Sequence, residues 1–105
     1  MPVHPIRGIL LGFIRLQILH HAGQEPVYGA WLMGELRRHG CAVGPGTLYP
    51  MLHALERAGF IDSRLEVAEG RRRRLYRTTK AGAQVLREGR RRAQELLVEI
   101  GQGGE

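Results

Sequence analysis

Residues 44–61, GPGTLYPMLHALERAGFI, constrain the fold of this chain more than any other stretch. Leu48, Leu52 and Leu55 recur at helical spacing with Met51 beside them, so one face of a helix must meet an apolar core. Tyr49, His53 and Arg57 stand at intervals of four on another face, able to hydrogen-bond, stack or carry charge. Two starts are open for this helix. Thr47 as N-cap puts Pro50 in the first turn, where its missing N–H costs nothing. Alternatively the helix begins at Pro45, and Pro50 is accommodated over the small Gly46 with a local bend. Gly59 is a natural stop, because the residue after a helix often needs positive φ. The period then changes. Ile61, Ser63, Leu65 and Val67 alternate with Asp62, Arg64 and Glu66, which predicts a half-buried strand. Glu69-Gly70 marks a turn, and RRRRLYRT, 71–78, returns as a second strand. The helix suits presentation to a groove of DNA; an ordinary core helix with a polar outside has the same pattern.

Upstream, PIRGILLGFIRLQILHHA, 5–22, predicts a first helix with Pro5 in its first turn. Its apolar residues, Ile6, Ile9, Leu10, Phe13, Ile14, Leu16, Ile18 and Leu19, cover more than one stripe. Either it is the central helix of the core, or a second subunit covers its other side. His20 and His21 at its end favour the helix dipole, and no further role is assigned to them. After a turn at Gly23 to Pro26, VYGAWLMGELRRH, 27–39, predicts a second helix with Leu32, Met33 and Leu36 inward and Gly40 as its stop. Trp31 falls one step off that stripe, which leaves core, pocket and interface all open. Helices two and three make a helix-turn-helix pattern, in which the second member enters the major groove. Two strands after it make a wing, with Arg71, Arg72, Arg73 and Arg74 placed to meet a phosphate backbone or a minor groove.

Thr79 then caps a last helix, 80–100, before a flexible GQGGE tail. Leu86, Ala93 and Ile100 are seven apart, Ala83 and Leu97 extend the seam, and Gly82 and Gly89 permit close approach of another helix. The expected fold class is mainly α with a two-stranded β wing: a winged helix-turn-helix plus a C-terminal dimerisation helix. The expected layout is one compact domain. Residues 1–78 form the DNA-binding region, 79–100 the dimerisation helix and 101–105 the tail. A dimer would join through Ile6, Leu10 and Phe13 of the first helix and Leu86, Ala93, Leu97 and Ile100 of the last.

Charge agrees with that layout. The net charge is +6, and ten of the sixteen basic residues lie between Arg71 and Arg92 against one acid, Glu88. With a pI near 10.7, an anionic partner is expected. Lys80 is the one lysine, and arginine suits bidentate contacts to phosphate or guanine. The single cysteine, Cys41, excludes an internal disulfide and fits a reducing compartment, hence a cytoplasmic location. There is no membrane-spanning run and no signal-peptide pattern. His39 and Cys41 are two apart with no second ligand pair nearby in sequence, so neither a metal nor another cofactor is expected. The five histidines and one cysteine show no Ser-His-Asp, paired-carboxylate or metal spacing, and no phosphate-binding glycine loop follows a strand, so an enzyme is not expected.

Tyr28-Gly29, GTLYP at 46–50, LERAGFI at 55–61 and GRRRRLYRTTKAG at 70–82 together resemble the PadR family of bacterial transcriptional regulators, in order and spacing over residues about 8–90. The resemblance implies a winged helix-turn-helix homodimer that represses promoters, relieved in some members by phenolic or other planar aromatic compounds. Carried over by position, Thr47, Leu48, Tyr49 and Pro50 are the DNA-facing start of the recognition helix. Tyr28 lies by the phosphate backbone, and Gly70 to Arg74 form the wing. Thr78 stands where the family has Leu, and Ala30 and Trp31 stand where it has an aromatic and then an acidic residue. Ending after one helix, the chain looks like the short subgroup. The expectation is a sequence-specific regulator of double-stranded DNA reading an inverted repeat, with base contacts from Thr47, Tyr49 and His53. Any effector would be planar and apolar, bound near Trp31 or between subunits. The alternative is a winged-helix module that binds proteins, its arginines merely solubilising.

Overall fold

A computed structural model describes residues 5–102. Four helices and a small sheet follow in the order α1 (Pro5–Gln24), β1 (Val27–Tyr28), α2 (Gly29–Arg38), α3 (Pro45–Arg57), β2 (Ile61–Ala68), β3 (Arg71–Thr78) and α4 (Lys80–Gln102). The sheet is antiparallel throughout, with β3 between β1 and β2. This corrects two expectations. The sheet has three strands rather than two, and helix two starts at Gly29, not at residue 27. Val27 and Tyr28 pair with Tyr76 and Leu75 of β3, and sheet pairing takes them out of the helix.

One stripe of α1, Ile14, Ile18, Leu19 and Ala22, lies in a core shared with Leu32 and Leu36 of α2, Leu48, Met51, Leu52 and Leu55 of α3, and Val27, Ile61 and Tyr76 of the sheet. The other stripe, Ile6, Ile9 and Phe13, is left exposed. α1 is therefore a core helix on one face only, and its other face is uncovered in the single chain.

Helix ends follow local chemistry. α2 and α3 both close in Schellman motifs. Gly40 at φ 80° lets its N–H reach Arg37 O and that of Cys41 reach Leu36 O. Gly59 at φ 86° does the same toward Glu56, with Phe60 bonding back to Leu55 O. At its start α3 takes the earlier of its two openings: Gly44 is the N-cap, Pro45 opens the first turn, and Pro50 lies inside the helix. Thr47 is therefore helical and is not a cap. Thr79 does cap α4, since its Oγ1 accepts the Gly82 N–H at 3.1 Å and donates to Gly59 O at 2.7 Å.

The hairpin turn uses Glu69 at φ 54° and Gly70 at φ 76°, the left-handed pair that a two-residue hairpin requires. Beyond Ser63 the wing projects past the core, so Leu65 and Val67 are 50% and 68% exposed and the expected half-burial fails there. Helix α4 runs through Gly101 and Gln102, two residues into the expected tail; the remainder of that tail, 103–105, is outside the described residues. Its glycines serve contacts within the chain: Gly89 sits under Leu16 of α1, and Gly82 against the Phe60 carbonyl. The C-terminal turns of α4 project away from the body. The radius of gyration is 15.2 Å, against about 13 Å for a compact chain of this size.

Candidate nucleic-acid interface

Between α3 and the wing runs a groove of about 560 Å³ lined by Tyr28, Gly29, Ala30, Tyr49, His53, Arg71 to Arg74 and Tyr76. Four arginines line it and no acidic residue does. The arginine run at the sequence level thus divides in two. In α4, Arg91 and Arg92 are held by Glu88, with Glu95 also on Arg91, at 2.7–3.1 Å. Those hydrogen bonds hold the Glu88 carboxyl below its usual range. On the wing, Arg71 and Arg72 make no hydrogen bond or ion pair among the described residues, and their charge faces solvent.

Residues Arg73 and Arg74 are placed more firmly. The Arg73 guanidinium lies 5.1 Å from the centroid of the Tyr28 ring, a cation–π contact. The Tyr28 hydroxyl reaches past β3 and donates to Glu66 Oε1 on β2. That hydrogen bond, with lesser help from burial and from the Glu66 charge, raises the Tyr28 pKa. Arg64 stands 3.7 Å from the other Glu66 oxygen, and Arg74 donates to Ser63 Oγ at 3.3 Å. Ser63 in turn donates to Glu56 of α3 at 2.8 Å, which ties the wing's base to the helix beside it. Tyr28 is thus a bracket between the helix-turn-helix and the wing.

On α3, His53 and Pro50 are exposed, and Thr47 and Tyr49 are half-buried. Tyr49 packs its ring on the core and brings its hydroxyl over the start of α2. A Cβ placed on Gly29 would lie 2.5 Å from that hydroxyl oxygen and 2.8 Å from ring carbons, so the glycine that opens α2 makes room for the Tyr49 ring. Leu48 is a correction. It is fully buried, at 0% exposure, and cannot face DNA; its role is to seat α3 on the core. Arg57 is exposed in the last turn of α3, but it does not line the groove with Tyr49 and His53.

Among the expected dimer residues, Ile6, Phe13, Leu97 and Ile100 are 45–65% exposed. Leu10, Leu86 and Ala93 are half-buried, and Leu86 packs on this chain's own core. Trp31 is 48% exposed and lines a hollow of about 250 Å³ with Glu25, Pro26, Val27 and Tyr28. Its ring meets that of His21 edge-on at 5.6 Å. The Glu66 bracket was open to sequence reasoning in part. A two-residue turn at Glu69-Gly70 fixes the register that sets Glu66 opposite Arg73. The Tyr28 partner was not, because it comes from a strand too short to show alternation.

No helix among the described residues is long and apolar enough to cross a membrane. A model of the transcriptional regulator PadR-like family matches residues 18–88. Transcriptional regulator Rv3488 of Mycobacterium tuberculosis is 54% identical over 87 residues, which is 83% of this chain and 81% of that protein. A crystal structure of a PadR family transcriptional regulator from Eggerthella lenta superposes with a TM-score of 0.83 at 31% identity, over 92% of this chain and 86% of that one. A PadR-like transcriptional regulator from Bacillus cereus also superposes at 0.83, with 28% identity over 93% and 99% of the two chains.

Proposed function

The chain belongs to the PadR-like family of transcriptional regulators, and from that premise we propose that it is a homodimeric repressor reading an inverted-repeat operator in double-stranded DNA. The family is one of regulators rather than enzymes. The observation that carries the proposal is the groove itself: wing arginines and the exposed face of α3 line one concavity with no carboxylate in it. Arg71 and Arg72 supply phosphate contacts, and Arg73 and Arg74 approach the backbone from their anchored positions. His53 reads base edges in the major groove, with Thr47, Tyr49, Pro50 and Arg57 flanking it. Tyr28 sits at the phosphate side of the same groove. A cytoplasmic location is the one proposed with such a target.

Dimerisation is supported by the two apolar surfaces left open, Ile6, Ile9 and Phe13 on α1 and Leu96, Leu97, Val98 and Ile100 on α4. Contiguous exposed apolar surface of this kind marks an interaction site. Two copies of α3 would then meet DNA about one helical turn apart, so half-sites should lie near 10 bp centre to centre or a multiple. Any effector, planar and apolar, would bind near Trp31 or between the subunits. Footprinting the protein on the DNA upstream of its own gene tests the proposal: a protected inverted repeat is expected. Protection that is uniform along the duplex, or absent, would leave the protein-interaction module as the better account.

A further inference from the structure

Away from the groove, three side chains from two helices converge. His21 lies in the last turn of α1, Glu35 in α2, and His39 is the C-cap of α2. One ligand atom from each lies within 4.8 Å of the other two. His39 Nε2 and Glu35 Oε2 are 3.2 Å apart, and the His21 and His39 rings stack with centroids 6.2 Å apart. Ligand atoms around a tetrahedral Zn²⁺, each at about 2.0–2.1 Å from the metal, stand about 3.3 Å from one another. The Glu35–His39 pair is already at that spacing, and the His21 ligand atom lies within 4.8 Å of both. The carboxylate is also aimed. Its Oε1 accepts from Arg38 Nη1 at 3.0 Å, which leaves Oε2 toward the histidines, the outer-sphere arrangement that orients metal-binding carboxylates.

We propose that His21, Glu35 and His39 form a binding site for a divalent transition metal of the Zn²⁺ kind, stapling the end of α1 to the end of α2. Two imidazoles and one carboxylate select such an ion over Mg²⁺ or Ca²⁺, which favour all-oxygen sites. With its side chain 52% exposed, His39 leaves the site open to solvent, so water takes the remaining position and the ion is exchangeable. The assignment goes beyond the DNA-reading role and does not depend on it.

Trp31, edge-on to His21, is the only tryptophan in the chain and therefore the reporter. The test titrates chelator-treated full-length protein with Zn²⁺, following tryptophan fluorescence and the thermal midpoint together. A saturable change at one ion per chain is expected, reversed by EDTA, with a rise in midpoint because the two-helix site exists only in the folded chain. His21→Gln and His39→Gln should each weaken binding at least about ten-fold, the lower end of what losing even an outer-sphere partner costs. Cys41→Ser, which removes the chain's one thiol, should leave binding unchanged. The site is overturned if Zn²⁺ gives no saturable response, if Mg²⁺ gives the same response, or if binding survives both histidine variants. The cluster is then a surface ion pair with a ring stack.

Discussion

Glycine 29 shows how much one missing atom decides. With a Cβ there, the ring of Tyr49 would have to move. Gly29→Ala is expected to destabilise the fold by about 1–3 kcal/mol in urea unfolding, as overpacking does, and to weaken operator binding. Gly34 lies in the same helix with nothing within 4 Å of its Cβ position. Gly34→Ala should therefore stabilise, by roughly 0.5–1 kcal/mol, since alanine is the better helix former. Equal effects at the two positions would mean helix propensity alone is at work. Gly82 is stricter still, because a Cβ there would lie 2.0 Å from the Phe60 carbonyl oxygen, a backbone atom. Gly82→Ala should cost about 1–3 kcal/mol or more by the same measurement.

Between elements, the roles proposed for the wing and α3 differ by the kind of contact each offers. Arg71 and Arg72 carry charge without fixed geometry, so replacing both with Ala should weaken binding to operator and random duplex alike. The salt slope should fall by about 0.9 for each phosphate that is no longer neutralised. His53 is exposed on a rigid helix, and His53→Ala should cost roughly 1–3 kcal/mol on operator DNA if it pairs well with a base edge, with little effect on random DNA. Paired salt titrations of the two variants on operator and scrambled duplex separate the roles. A His53 variant that loses both affinities equally, beside a wing variant that loses only the operator, would reverse them. Tyr49 is a poorer probe, since its ring also packs on the core and its removal mixes stability with recognition.

The whole molecule is elongated because α4 outruns the body it packs on. Its first half lies against α1 and Phe60, while Leu97 and Ile100 stay 65% and 59% exposed. A lone chain gains little from those residues, so Leu97→Glu should leave its helix content and unfolding midpoint near those of an isolated subunit. In a dimer the same change buries an unpaired charge, a loss of several kcal/mol by order of magnitude. Light scattering at micromolar concentration should find a wild-type dimer and a Leu97→Glu monomer. A wild-type monomer would remove the case for paired half-sites.

The sequence by itself determined the elements that local physics specifies. The leucine stripe of α3, the glycines at 40 and 59, the two-residue turn of the hairpin and the cap at Thr79 each depend on neighbours within a few residues. Placement across the chain was another matter. Whether α3 began at Pro45 or Thr47 turned on how its first turn is held, and Leu48 could be assigned to DNA only while its burial was unknown. Val27 and Tyr28 look helical until β3 offers them hydrogen bonds from residues about fifty positions away. In the cluster of His21, Glu35 and His39, the last two stand one helical turn apart in sequence, but His21 comes from a different helix. The cluster exists because the core packs the ends of α1 and α2 side by side, and only the tertiary structure could decide that.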